Sequence, residues 1–245
     1  MVNFSGISIE PDAIVDYLKQ ELGLKEICQK ILYQSLIKKA AQSQGIVVTP
    51  EEIQVEADRQ RYQKRLESAA ATFAWLNEQL ITPNEWEAGI QNQLITKKLA
   101  ESLFAQDVEK YFAEHRLDFE QISLYKITVP YKELAQELQF QLEEGEISFF
   151  EAAHLYDVDE HRRLHCGYEG RLYRWSLNPE IAAAIFSATI GEVLGPFQND
   201  QGFELLMVEE LIEAELNPTV RQEIIDRMFQ EWLQGELTYF IHNQS

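Results

Sequence analysis

The sequence predicts an α+β protein, a mainly helical domain into which a smaller domain of strands and helices is inserted. Three observations predict it. Residues 11–115 place their apolar side chains at helical spacing almost throughout. Beyond residue 119 the pattern turns to an extended run of β-branched and aromatic residues, Phe119 to Val129, closed by Pro130. After Pro218 one amphipathic helix returns, with Ile224, Ile225, Met228, Trp232, Leu233 and Leu237 as its stripe. So much large apolar surface needs a partner, and the N-terminal helices are the obvious one. The expected divisions are therefore a helical domain over 1–118, an insert over 119–213 and a closing helix over 214–245.

Pro11-Asp12 opens the first helix, with proline in the first turn and an acid at the positive end of the dipole. Gly23 breaks that run into two helices, and Gly45 ends the second where a positive φ is wanted. Thr49-Pro50-Glu51-Glu52 is a start signal, Thr as N-cap and Pro at the first helical position, and Thr82-Pro83-Asn84-Glu85 repeats it. Helical spacing is expected again over 131–143 and 148–156, and from Asn178-Pro179 to Phe186. Gly167 to Trp175 reads as an irregular loop entering a strand. Gly191, Gly195-Pro196 and Asn199-Asp200 punctuate two more strands near 193–197 and 203–211. The insert thus reads β-α-α-β-α-β-β.

Charge narrows the function. Lys and Arg number 21 against 41 Asp and Glu, a net charge of −20. That balance excludes counterion-release binding of nucleic acid by the chain as a whole, and disfavours an anionic membrane surface. No apolar run approaches the roughly 18 residues of a membrane span. The first ten residues have neither a basic nor an apolar leader segment. A soluble, cytoplasmic protein without membrane insertion is the expectation. Eleven glycines in 245 residues fall below a usual share of about 7% and favour long helices. Cys28 and Cys166 make no disulfide framework or zinc spacing, and Cys28, amid Ile27, Ile31 and Leu32, reads as core. His161, His165 and Cys166, with His154 nearby, have no second cluster to complete a metal site, so neither metal nor cofactor is expected.

Particular strings carry a family resemblance. Gln44-Gly45-Ile46-Val47-Val48-Thr49-Pro50-Glu51-Glu52-Ile53 and Thr82-Pro-Asn-Glu-Trp-Glu resemble the helical peptide-binding domain of SurA-type chaperones. The insert resembles a parvulin peptidyl-prolyl isomerase (rotamase, PpiC) domain. Lys126-Ile127-Thr128-Val129 stands at the family's first strand, and Ser148-Phe149-Phe150-Glu151-Ala152-Ala153 at its Asp-Phe-x-x-Leu-Ala helix. Glu169-Gly170-Arg171-Leu172-Tyr173-Arg174-Trp175 is what remains of its Gly-Gly-Asp-Leu-Gly-Trp-Phe string. Pro179-Glu180-Ile181, Gly191-Glu-Val-Leu-Gly-Pro196 and Gln201-Gly202-Phe203-Glu204-Leu205 match its closing motifs. The resemblance implies a small antiparallel sheet surrounded by helices.

Carried over by position, Lys126 and Glu204 occupy the places of the family's two cleft histidines, and Asp159 is nearest to its Cys/Asp. Leu177, Ile181 and Trp175 fall where the proline pocket is expected. A Lys126–Glu204 ion pair would replace the histidine hydrogen bond but fix charges where a weakly polar site is wanted. His161-Arg162-Arg163-Leu164-His165-Cys166, with Arg171 and Arg174, concentrates four arginines in an acidic protein. These arginines either form an electropositive lip for acidic stretches of a client, or pair with the protein's own acids.

The resemblance implies a chaperone or escort for peptide or unfolded-protein clients, with weak or absent isomerase activity, in the setting of peptide maturation or export. The alternative is an active isomerase with a divergent site in which Lys126, Asp159 and Glu204 polarise the cleft. A homodimer is a further expectation if the helical domain exposes an apolar groove.

Overall fold

The computed structural model describes residues 2–4 and 6–243. The chain forms two compact units, one taking the chain up to Val108 and from Gln222 onward, the other Glu109–Arg221. In the first, strands β1 (Val2–Phe4) and β2 (Ile7–Ile9) pair antiparallel, Val2 opposite Ile9. This hairpin was not expected from the sequence, because three-residue strands carry too little alternation to register.

Helices α1 (Pro11–Gln20), α2 (Leu24–Ser43), α3 (Pro50–Gln63), α4 (Ala69–Glu78) and α5 (Pro83–Phe104) follow. Gly23 separates the first two, and Gly45 leaves α2 with φ +68°. Thr49 and Thr82 both close capping boxes. Thr49 Oγ1 accepts from the Glu52 N–H at 3.3 Å while Glu52 Oε2 accepts from the Thr49 N–H at 2.8 Å, and Thr82 and Glu85 do the same. Two otherwise unbonded donors are satisfied at each helix start. Leu76, Ile90 and Leu99 are fully buried, and Trp75 meets Trp86 edge-on at 6.0 Å. Cys28 is exposed, contrary to the core position expected of it. α2 buries Ile37 and Ala41 and leaves Ile27 and Ile31 outward.

The second unit contains α6 (Val108–Glu114), a 3-10 turn at Arg116–Phe119, β3 (Gln121–Val129), α7 (Lys132–Glu143), α8 (Phe149–Tyr156) and α9 (Glu160–Leu164). It continues with β4 (Tyr168–Tyr173), a 3-10 turn at Arg174–Ser176, α10 (Pro179–Ser187), β5 (Val193–Asn199) and β6 (Gly202–Ile212). Helix α11 (Pro218–His242) closes the chain, with Ile224, Ile225, Phe229 and Leu233 buried. Two features bear on the site. The arginine-rich stretch contains a short helix, α9, and the strand expected within Gly167–Trp175 begins at Tyr168 and runs to Tyr173, with a register shift against β3 at Leu124/Tyr125.

The four strands are antiparallel in the order β4-β3-β6-β5. One face packs Ile127, Val129 and Leu205 against Ala135 and Leu138 of α7 and Phe149, Ala152 and Ala153 of α8. The other packs Ile122, Leu124, Leu206 and Val208 against Ile185 of α10. Both faces are covered, so β3 and β6 read as nearly continuous apolar runs. The β5–β6 turn requires glycine. Gly202 has φ +140°, and a Cβ there would collide with the Val129 carbonyl oxygen. Among the described residues no helix is long and apolar enough to cross a membrane.

Candidate functional site

Pairing across the sheet assembles the site. Thr128 lies opposite Glu204, and Lys126 opposite Leu206, so alternation puts Lys126, Thr128 and Glu204 on the α10 face, beyond its apolar cluster. The structure brings Lys126 and Glu204 together. Nζ of Lys126 stands 3.2 Å from Glu204 Oε1 and 3.8 Å from Glu169 Oε1. Glu204 is 7% exposed and also accepts from the Asn199 side-chain amide.

The charges continue without a gap. Glu169 Oε2 accepts from Arg162 Nη1 at 3.1 Å. Arg162 meets Asp157 as a fork, Nε to Oδ2 at 2.7 Å and Nη2 to Oδ1 at 2.9 Å, and Nη2 also donates to Thr128 Oγ1 at 3.0 Å. Asp157 Oδ1 further accepts from the backbone N–H groups of Thr128 and Asp159. Burial opposes the Arg162 charge, but the carboxylates of Asp157 and Glu169 outweigh it and raise its pKa above the ordinary guanidinium value. Lys126 and Arg162 thus face three carboxylates in one ladder joining β3, β4, β6 and α9.

Local sequence explains how the ladder is held. Asp157 follows the last turn of α8 with its N–H on the Ala153 carbonyl. Asp159 then caps α9, its Oδ1 taking the Arg162 N–H at 2.8 Å. That backbone hydrogen bond holds the Asp159 carboxyl below its usual pKa. α9 aims the Arg162 side chain back at the Asp157 carboxylate. Gly167, with φ +91°, then turns the chain into β4, where a Cβ would press on Ala153 and the Lys126 carbonyl.

Asp159 is therefore a helix cap, and the buried carboxylate of this loop is Asp157, 1% exposed, which sequence reasoning missed. Arg162 does not form a lip, being 7% exposed and bonded inward. Arg171 pairs with Glu210 at 3.6 Å, and Arg174 with Glu120 at 2.9 Å while lying over the Phe186 ring. Those three meet the protein's own acids, the alternative that the sequence left open. Arg163 makes no side-chain ion pair or hydrogen bond among the described residues. Glu169, Thr128 and Asn199 also escaped notice. The only signal for Glu169 and Asp157 was an acid within a few residues of each end of the arginine run.

Leu177 and Ile181 are half-buried and pack on the cluster of Ile122, Leu124, Ile185, Leu206 and Val208, together with Leu194 and Phe197. Trp175 is 50% exposed and stacks on Tyr173 at 5.8 Å. An apolar wall therefore borders the charged ladder. Among the described residues no group of three or more His, Cys, Asp or Glu is arranged to hold a metal. The rings of His161 on α9 and of His165 just after it lie tilted to one another, 4.4 Å apart.

Residues 125–210 match the rotamase family, described as the PPIC-type PPIase domain. The chain is 25% identical over 200 residues to the foldase protein PrsA of Caldanaerobacter subterraneus subsp. tengcongensis, covering 80% of this chain and 58% of that protein. It thus spans less than two thirds of the length of that relative. Among solved structures it resembles the peptidylprolyl isomerase PrsA of Bacillus anthracis, with a TM-score of 0.51 at 18% identity over 85% of this chain and 96% of the other. A SurA-like chaperone structure from Campylobacter jejuni aligns with a TM-score of 0.37 at 16% identity, over 99% of this chain and 95% of the other. The chain carries a PPIC-type rotamase domain and is homologous to the PrsA foldase.

Proposed function

We propose that this PPIC-type, PrsA-related chain is a folding factor that binds peptide or unfolded-protein clients, and that its prolyl isomerase activity is weak or absent. Prolyl isomerisation needs neither nucleophile nor metal. It must lower a barrier of about 18–20 kcal/mol set by imide resonance, by favouring the twisted imide over both planar forms. A group serves that purpose only if it is available to the substrate.

The Lys126–Glu204 pair carries the reading. The Lys126 ammonium is shared between Glu204 and Glu169, and the Glu204 carboxylate between Lys126 and Asn199. Both polar groups at the cleft positions are thus engaged by the protein itself. A twisting imide would have to compete with charge-assisted bonds already made. The neighbouring wall of Leu177 and Ile181 stays apolar and suits a grip on an apolar client side chain.

Cis–trans exchange of X-Pro peptides measured by NMR tests this, with wild type beside the Lys126→His/Glu204→His double variant. The expected result is no acceleration by wild type, with client-peptide resonances that shift or broaden. Clear acceleration by the wild type overturns the reading in favour of an active isomerase with a divergent site.

A further inference from the structure

Three of the five histidines fall between positions 154 and 165, His154 on α8, His161 on α9 and His165 at its end. His161 and His165 stand four apart, and the His165 N–H reaches the His161 carbonyl oxygen at 3.3 Å, closing one helical turn between them. Residues so spaced project from one face of the turn. Their rings accordingly meet, with centroids 4.4 Å apart and planes 31° from parallel, and both residues are exposed. Nδ1 of His165 lies 2.7 Å from the His161 carbonyl oxygen. A carbonyl only accepts, so the neutral ring carries its proton on Nδ1 and keeps the Nε2 lone pair for another partner. The His161 ring makes no hydrogen bond among the described residues. Arg162, next to it in sequence, is turned away, its guanidinium bound to Asp157 and Glu169.

We propose that His161 and His165 form a two-point site for a divalent transition-metal ion. Neutral imidazole suits Cu²⁺, Ni²⁺ and Zn²⁺, and histidines four apart on one helical face can hold one ion together. An ion about 2.0–2.1 Å from each nitrogen keeps the two nitrogens within roughly 4 Å of each other, a span that rings 4.4 Å apart can meet. The bond from His165 Nδ1 to a backbone carbonyl is the second hydrogen bond that orients a metal-bound imidazole. Asp159, which caps the same turn, lies close enough to His161 for its carboxylate to favour a cation there. Among the described residues no third His, Cys, Asp or Glu joins the pair, so water fills the remaining positions. By joining positions 161 and 165 the ion ties the single turn that presents Arg162 to Asp157.

Calorimetric titration of the whole untagged protein with Cu²⁺, Ni²⁺, Zn²⁺ and Mg²⁺ tests this. The expected result is a site for one ion per chain, tightest for Cu²⁺ and not shared by Mg²⁺, which prefers oxygen ligands. His161→Ala and His165→Ala, with circular dichroism unchanged, are each expected to weaken Cu²⁺ binding at least about tenfold, and His154→Ala to leave it within about twofold. The electron paramagnetic resonance spectrum of the Cu²⁺-loaded wild type should show coupling to two imidazole nitrogens, a readout that needs no variant. Cu²⁺ held by oxygen alone, or binding undiminished when both histidines are alanine, overturns the proposal and puts the ion on the acidic surface. Equal weakening by His154→Ala overturns the two-point site in favour of one that includes α8. Absence of Cu²⁺ binding overturns it outright.

Discussion

Lys126 Nζ lies 3.2 Å from Glu204 Oε1, joining the two central strands of the sheet through a carboxylate that is 7% exposed. Partners in such a pair are unequal to their removal. Deleting one leaves a poorly solvated charge, whereas replacing both with apolar groups relieves the desolvation cost. Lys126→Met is expected to lose about 1–3 kcal/mol, the lower end reflecting the partial exposure of the lysine. Lys126→Met/Glu204→Leu is expected to regain most of that loss. Urea unfolding of the single and double variants measures it. A double variant as weak as the single one would show that relieving the desolvation cost does not offset the other bonds lost, among them the Asn199–Glu204 bond between β5 and β6.

Asp157 and Arg162 make the stronger test of the ladder, because their side chains are 0% and 9% exposed. Asp157→Ala strands the guanidinium with only Glu169 and Thr128, and the expected cost is about 3–5 kcal/mol. Arg162→Lys is expected to recover little. An ammonium cannot reproduce the two-point fork on Asp157 and reach Thr128 as well. The urea midpoints of the two variants should therefore both fall well below wild type.

The helix starts at Thr49 and Thr82 were legible because a capping box is a local code, complete within four residues. The Lys126–Glu204 meeting was legible for a different reason, since the family strings place both residues on neighbouring strands. Burial of Arg162 was not legible. It depends on α9 turning the side chain back onto Asp157, and a five-residue helix leaves almost no periodic signal. Four arginines in a short stretch left open either a surface for others or pairing with the protein's own acids, because the partners of three of them, Asp157, Glu169, Glu210 and Glu120, are spread across the insert. Cys28 failed in the same way. Apolar neighbours at helical spacing mark a face, but not which face a helix turns toward the core.

Gly202 fixes the entry to β6, two residues before Glu204, so its backbone sets where that carboxylate sits. Gly202→Ala is expected to cost more than about 2 kcal/mol, because a Cβ would meet the Val129 carbonyl oxygen and φ +140° is foreign to an L side chain. Gly170→Ala serves as the comparison. It also has positive φ, but nothing lies within 4 Å of its Cβ position. The Gly202 variant should lose more stability than the Gly170 variant, the difference reporting the steric clash apart from the dihedral cost.

Glu56 makes the helical unit acid-sensitive. Its carboxylate accepts from Arg59 at 2.6 and 2.7 Å and from Gln60 at 2.9 Å, which lowers its pKa from 4.5 to about 2. A carboxyl depressed on folding contributes stability above its unfolded value. That contribution is lost as pH falls from about 4.5 to about 2. The full shift corresponds to about 3 kcal/mol, but Arg59 is 57% exposed, so solvent screening reduces the expected contribution to about 1–2 kcal/mol. Glu56→Gln keeps the shape and removes the titration. Relative to wild type it should be less stable near neutral pH, and the gap should close as the pH approaches about 2. Urea midpoints across that range decide it, and a gap that does not change with pH would mean that Glu56 acts through packing alone.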